Sequence, residues 1–140
     1  MLKGESRMNT SREAGFSLLG VLIAVMIIGV VATIAVPKFH SMIVMANTSK
    51  IQADLSTLDA AVAVYEAQEG RVPTELSQLK DYVNDIDSVK PPKGKCRLKD
   101  GKIITLEIDN YSIESASKDN LEGARAVCGT YKAGDFGNGH

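Results

Sequence analysis

The sequence is poor in the side chains on which most metal sites and enzymes depend. Its 140 residues include no Trp, two Cys and two His, and aromatic residues make up 5% of the chain. Two cysteines exclude a four-cysteine zinc site or iron–sulfur cluster. A mixed zinc site would need His40, Cys96, Cys128 and His140 together, and their spacing is not that of a zinc finger. We therefore expect no metal, no cofactor and no enzymatic activity.

Ionisable side chains are absent from one long stretch. The formal net charge is −1, so the chain as a whole is not basic. Between Phe16 and Val36 no residue is ionisable. As a helix this segment would span about 31 Å, which is enough to cross a bilayer. A buried core helix is the alternative, but the rest of so short a chain could hardly wrap a helix that is apolar on all sides.

The residues before the apolar stretch are polar and basic. They include Lys3, Arg7 and Arg12 and show no apolar period. In a secretory signal the apolar run precedes the small residues of the cleavage site. Here the small pair Ala14-Gly15 comes first, which predicts a cytoplasmic stub followed by a signal anchor. Met8 is an alternative start.

An amphipathic pattern continues beyond the apolar stretch. Gly70 and Pro73 provide a stop, so one helix is predicted over 16–69, with 16–36 in the membrane. Gly29 and Pro37 are its predicted weak points, and Pro37 removes a backbone hydrogen bond. The predicted buried stripe has spacings of three and four residues: Val44, Thr48, Ile51, Leu55, Leu58, Val62 and Tyr65.

Residues 70–140 are predicted to form a small head with a short helix and antiparallel strands. Thr74 is the predicted N-cap of the helix, and residues 84–92 are predicted to be loop. The tail AGDFGNGH is rich in Gly and is expected to be loose. The fold class is therefore α+β, a long helix packed on a small antiparallel sheet.

A hairpin is predicted around Asp100-Gly101, which is a strong turn signal. Alternating cations precede it and the strand 102–109 follows it. A two-residue turn would place Leu98 opposite Ile103, so a bulge or a longer loop is expected. Residues 111–115 are the predicted third strand, and 119–131 are ambiguous.

The segment GFSLLGVLIAVMIIGVVATIAVPKF resembles the type IV pilin-like proteins, which include pilins, type II secretion pseudopilins and competence pilins. The resemblance rests on Gly15-Phe16 at the junction between the basic leader and the apolar segment. Pro37 stands where the family commonly has a proline, and Gly29 where it often has a glycine. Residues 70–76 are also similar to the turn that follows the long helix in pseudopilins.

The resemblance implies a series of processing and assembly steps for the chain. A prepilin peptidase would remove the leader, residues 1–15, between Gly15 and Phe16 on the cytoplasmic side, and Phe16 would be N-methylated. Residues 16–36 would lie in membrane lipid, making the chain a single-pass protein of the inner membrane. Inner-membrane assembly machinery would then place it among other pilin subunits in an extracellular filament, as a pilus subunit or as a secretion pseudopilin.

One position departs from the family pattern. The family usually has a glutamate five residues into the mature chain, where this sequence has Gly20. The carboxylate is thought to pair with the N-terminal amine of a neighbouring subunit, and its loss leaves that amine without this partner. Two explanations stay open: a minor or tip subunit, or a lineage that dispenses with the acid. An isolated membrane anchor that keeps its first 15 residues is a further alternative.

Two sets of residues in the head carry further predictions. Cys96 and Cys128 lie beyond a signal anchor, so a disulfide between them is expected. The cations around the hairpin could bind DNA phosphates, as a competence filament would require, although a solvated strand face is the favoured interpretation. These cations are Lys90, Lys93, Lys95, Arg97 and Lys99, and the alternation places the last four, the predicted DNA contact, on one strand face.

Overall fold

The computed structural model describes residues 10–115 and 123–137, with side chains from residue 17 onwards. The chain divides into two units, Met1–His40 and Ser41–His140. Its elements confirm the predicted α+β fold, a long helix with small antiparallel sheets. Helix α1 spans Thr10–Glu69, and the strands are β1 (Gly94–Arg97), β2 (Ile103–Leu106), β3 (Ser112–Glu114) and β4 (Arg125–Val127). Three short 3-10 helices cover Leu76–Leu79, Ile86–Ser88 and Ala133–Asp135.

Helix α1 begins before the predicted start and ends where expected. It begins at Thr10 rather than Phe16, because Arg12, Glu13 and Ala14 are compatible with a helix. It ends at Glu69, and Gly70 follows in the left-handed conformation with φ +67. The amide of Gly70 donates to the carbonyl of Glu66 at 3.0 Å, which satisfies one of the last helical carbonyls.

The first unit presents apolar side chains that are left exposed by all the residues the structure describes. Leu18, Met26 and Ile34 are between 64% and 71% exposed, and none of the most apolar stretch is buried. This part of α1 is long enough and apolar enough to cross a membrane. Pro37 lies inside the helix, and the hydroxyl of Thr33 donates to the carbonyl of Val30 at 2.7 Å.

The second unit has its core along the predicted stripe of α1. All seven stripe residues are buried, from Val44 to Tyr65, which confirms the stripe. Thr48 is tolerated there because its hydroxyl donates to the carbonyl of Val44 at 2.7 Å. The stripe packs against one cluster from the rest of the head, which includes Leu79, Val83, Cys96, Leu106, Tyr111, Ala126, Cys128 and Phe136.

The strands form two separate antiparallel pairs. Strand β1 pairs with β2, with Cys96 opposite Ile104, and β3 pairs with β4, with Ile113 opposite Ala126. The predicted third strand is thus confirmed, and the ambiguous region contains β4. Residues 119–122 of that ambiguous region lie outside the described part of the chain.

The hairpin between β1 and β2 has the longer loop that was expected. Arg97 stands opposite Ile103, and the amide of Leu98 donates to the carbonyl of Lys102 at 2.8 Å. A loop of three residues, 99–101, therefore replaces the two-residue turn. It requires a left-handed residue at its end, and Gly101 supplies it with φ +87.

The predicted short helix is present, but its predicted cap is wrong. The structure has a 3-10 helix, and its N-cap is Glu75 rather than Thr74. The reason is Gln78, whose side-chain oxygen accepts hydrogen bonds from the amides of Thr74 at 2.7 Å and Glu75 at 3.3 Å. The predicted loop 84–92 also contains one 3-10 turn, Ile86–Ser88.

The expectation of a loose tail is wrong for residues 133–137. Phe136 is only 2% exposed, and its backbone forms an isolated antiparallel β-bridge with Leu98. The carbonyl of Asp135 accepts from the amide of Lys99 at 2.8 Å, and the amide of Gly137 donates to the carbonyl of Arg97 at 3.2 Å. One aromatic side chain thus fixes a segment whose Gly-rich composition is typical of a loop. Residues 138–140 lie outside the described part of the chain.

Candidate functional site

The predicted processing site lies within the backbone of α1. Gly15 and Phe16 are helical, and their side-chain surroundings are outside the described part of the chain. Further along, a methyl group added at Gly20 or at Gly29 would meet no atom within 4 Å. Both glycines therefore face open space in the single chain, which leaves room for a larger side chain or for a neighbouring subunit.

Exposed apolar surface continues past the predicted end of the membrane segment. Phe39, Met42, Ile43 and Met45 are all more than half exposed. Apolar side chains of this size seldom lie contiguously in water unless a membrane or another protein covers them. The surface of α1 up to residue 45 thus requires a cover that residues 10–115 and 123–137 do not supply.

Polar side chains on the buried stripe and beside it bind backbone groups at the outer edges of the strands. Asn47 donates to the carbonyl of Lys95 at 3.0 Å, and the hydroxyl of Thr48 accepts from the amide of Arg97 at 2.8 Å. Asp59 accepts from the amide of Ala126 at 2.7 Å. These backbone groups would otherwise be unpaired strand edges, so α1 protects the two small sheets as well as burying their faces. Thr48 was predicted only as a buried position of the stripe, and Asn47 and Asp59 were missed, although their place beside the apolar stripe was a usable signal.

A second polar group ties α1 to the loop before β3. The hydroxyl of Tyr111 donates to the carboxylate of Asp54 at 2.8 Å. Lys50 pairs with the same carboxylate and donates to the carbonyl of Lys90 at 3.0 Å. Burial, and then the hydrogen bond to Asp54, raise the pKa of Tyr111, so its phenol stays protonated at physiological pH.

The two cysteines lie in the same buried cluster of the head. The structure contains both as thiols, each fully buried. Burial raises the pKa of Cys96. Burial, and then the charge of Cys96, raise the pKa of Cys128 to about 11. The disulfide between them stays a prediction. It rests on the expectation that the head is exported to an oxidising compartment, where disulfides form.

We expect Cys96 and Cys128 to be joined by a disulfide in the head. By the chain-entropy model, a disulfide that closes the loop between Cys96 and Cys128 stabilises the folded state by about 3–4 kcal/mol. The measurement is alkylation of the denatured protein with and without prior reduction. Thiols that react only after reduction are the expected result, and two thiols that react without reductant would contradict it.

The four cations predicted as a DNA contact do not share one open strand face. Strand β1 contains only Lys95 and Arg97. Lys93 pairs with Asp109 at 2.7 Å, and that hydrogen bond raises the pKa of Lys93. Arg97 is half-buried, whereas Lys95 and Lys99 are exposed. Within residues 10–115 and 123–137, the structure shows no group of three or more side chains that could hold a metal ion.

Comparison with known proteins decides the family. A family model described as the prokaryotic N-terminal methylation motif matches residues 10–36. Competence protein ComGC of Halalkalibacterium halodurans is 30% identical over 83 residues, which are 59% of this chain and 80% of that protein. This chain belongs to the type IV pilin-like family.

Other relatives of this pilin-like chain come from secretion systems and pili. Type II secretion system core protein G of Aeromonas hydrophila is 29% identical over 86 residues, which are 61% of this chain and 60% of that protein. The type IV narrow pilus major component PilA5 of Thermus thermophilus is 33% identical over 63 residues, or 45% and 54% of the two chains. The pilin-like chain thus spans less than two thirds of the Aeromonas and Thermus proteins. No solved structure matches it significantly.

Proposed function

We propose that this pilin-like chain is a structural, non-catalytic subunit of a pilus-like filament. The observation that carries the proposal is the exposed apolar half of α1, which begins in a methylation motif and leads into a head with its own core. Such a helix is stable in lipid or against other helices of the same kind, and not in water. The relatives named for secretion, competence and pili support the same role.

The proposal includes a processing and assembly route. A prepilin peptidase cleaves between Gly15 and Phe16, and Phe16 is N-methylated. Before assembly the helix anchors the chain in the inner membrane, where its other partners are the assembly machinery and lipid. After assembly the subunit lies in an extracellular filament. The methylation motif over residues 10–36 and the apolar helix support this route. A type II secretion pseudopilin is the alternative within the same family.

The mature N-terminus tests the route. We expect the purified membrane protein to begin at methylated Phe16, because the pair Gly15-Phe16 lies inside the matched methylation motif and directly at the start of the apolar stretch. Intact-mass analysis and sequencing of the N-terminal peptide measure this. The control is Gly15→Leu, which removes the small residue before the bond and should leave the leader attached. A parent chain that begins at Met1 or Met8 would contradict the proposal and favour an isolated anchor.

DNA is a second candidate partner of the head. The exposed Lys95 and Lys99, together with the similarity to a competence protein, support it. Binding would depend on salt and fall when these lysines are replaced by glutamate, because counterion release drives phosphate binding.

A further inference from the structure

The two sheets of the head have strand edges that α1 does not cover. Asn47 and Thr48 bind the outer edge of β1, and Asp59 binds the outer edge of β4. The backbone groups at the outer edges of β2 and β3 receive no hydrogen bond from any residue that the structure describes. An unpaired strand edge is a template for a further strand, so these two edges are candidate binding surfaces.

The backbone groups of Tyr111 and Ile113 form the open edge of β3. In an antiparallel pair, successive residues point their N–H and C=O groups alternately toward the partner strand and away from it. Ile113 stands opposite Ala126, whose amide donates to Asp59 and not to β3. The backbone groups of Ile113, and of Tyr111 two residues before it, therefore point away from β4.

The open edge of β3 borders a cavity of about 700 Å³. Tyr111 and Ile113 line it from the edge, and Leu76, Ile86 and Val89 line it from the 3-10 helices that follow α1 and from the loop after them. Ligand cavities commonly measure about 300–1,000 Å³. An ion would leave most of this volume empty, whereas a few residues of extended chain would fill it.

The charged side chains that line the cavity leave one amine unpaired. Glu75 accepts a hydrogen bond from the hydroxyl of Ser77 at 3.2 Å, and Asp87 pairs with Lys80 at 3.8 Å. The amine of Lys90 forms no ion pair or hydrogen bond with any described residue, and Lys90 is exposed. A carboxylate is the group that complements this amine.

One ion pair of α1 holds both sides of the cavity. The carboxylate of Asp54 accepts from the hydroxyl of Tyr111 at 2.8 Å, which fixes the side formed by β3. Lys50, which pairs with Asp54, donates to the carbonyl of Lys90 at 3.0 Å, which fixes the loop before β1. A site whose walls are already fixed loses little conformational entropy when a ligand binds.

We propose that this cavity binds an extended, acidic polypeptide segment of another protein, which adds a strand to the edge of β3. The backbone of the segment pairs with Tyr111 and Ile113, and an acidic side chain on it binds the amine of Lys90. Main-chain pairing provides affinity in such sites, and pockets for alternate side chains provide specificity. DNA is a poorer fit, because phosphates cannot complete a strand edge. The proposal does not depend on the filament role, since every residue of the site belongs to the unit Ser41–His140.

Selection from a library of random linear peptides displayed on phage tests the proposal. The target is the full chain in lipid nanodiscs, and fluorescence anisotropy measures the affinity of the selected peptides. We expect them to place a carboxylate among β-branched residues, and we expect Lys90→Glu to weaken their binding about tenfold or more, because a charge-assisted hydrogen bond is lost. Lys102→Glu is the matched control, since Lys102 is exposed and does not line the cavity. It should keep the parental affinity, and thermal unfolding confirms that both variants fold.

Hydrogen exchange locates the bound peptide. The amide of Ile113 should exchange at least about tenfold more slowly when a selected peptide is present, because strand pairing protects it. The amide of Ile103 is the internal control, since Ile103 lies on β2, which has the other open edge. Its exchange should not change.

The outcomes separate peptide binding from DNA binding and from the filament role. A library that yields no enriched peptide, or peptides that bind Lys90→Glu as well as the parent, would overturn the proposal. Protection of Ile103 in place of Ile113 would overturn it too. If single-stranded DNA displaces the peptides and protects Ile113 equally, the site is not selective for polypeptide and the proposal is wrong. A chain that binds the peptides as expected but forms no filaments would support the proposal and reject only the filament role.

Discussion

Phe136→Ala is expected to lower the free energy of unfolding of the head by about 3–5 kcal/mol, because it removes a large side chain from a packed core. Phe136 is 2% exposed, and its ring meets that of Tyr131 edge to face at 5.7 Å. Its carbonyl accepts a hydrogen bond from the side chain of Gln52 at 2.7 Å, which links the tail to α1. The loss would be a large share of the stability of a small domain.

The measurement is denaturant unfolding of the full chain in detergent, with tyrosine fluorescence as the signal that monitors unfolding. Val64→Ala is the control, since Val64 lies on α1 but is 45% exposed. It should change the unfolding free energy by less than about 0.5 kcal/mol. Equal effects of the two substitutions would show that the tail is not part of the core.

Gly20→Glu is expected to give more or longer filaments. If the chain stacks as a repeating subunit, each amine of Phe16 lies in an apolar filament core without the glutamate that the family usually provides. A buried ammonium without a partner costs several kcal/mol unless it finds other acceptors or loses its proton. The new carboxylate would meet that amine, and Gly20 has space for a side chain in the single subunit.

Gly29→Glu is the matched control for this prediction. It places the same acid in the same apolar segment, where space is also open, but away from the expected position of the amine. We expect it to reduce filaments, because an unpaired acid in the membrane costs about 2–3 kcal/mol on insertion scales. The readout is filament count and length at equal protein level. A fall in Gly20→Glu comparable to that in Gly29→Glu would contradict stacking and favour a tip subunit.

The parts of the fold that repeat along the chain were predictable from sequence. The stripe from Val44 to Tyr65 follows the period of an α-helix, because each of its residues must meet the same core. Gly70 marked the helix end for a local reason, since it adopts a left-handed conformation that other residues disfavour. The turn at Gly101 was equally local, and matching the faces of the two strands indicated a bulge or a longer loop, of which the structure has the longer loop.

Features that depend on one contact between distant residues were not predictable. Phe136 belongs to the core, yet a single aromatic residue in a Gly-rich tail has no period that could reveal it. The cap of the first 3-10 helix depended on which backbone amides the side chain of Gln78 reaches. The cations around β1 alternated in sequence as on one face, but Lys93 lies outside β1 and pairs with Asp109, which follows β2.

The most direct test of the filament role is immunoelectron microscopy of sheared surface material, with an antibody raised against the full chain. The account predicts label along the length of thin filaments from parent cells, and neither label nor such filaments from cells that lack the protein. Label confined to membrane vesicles, with no filament that depends on this chain, would contradict the account.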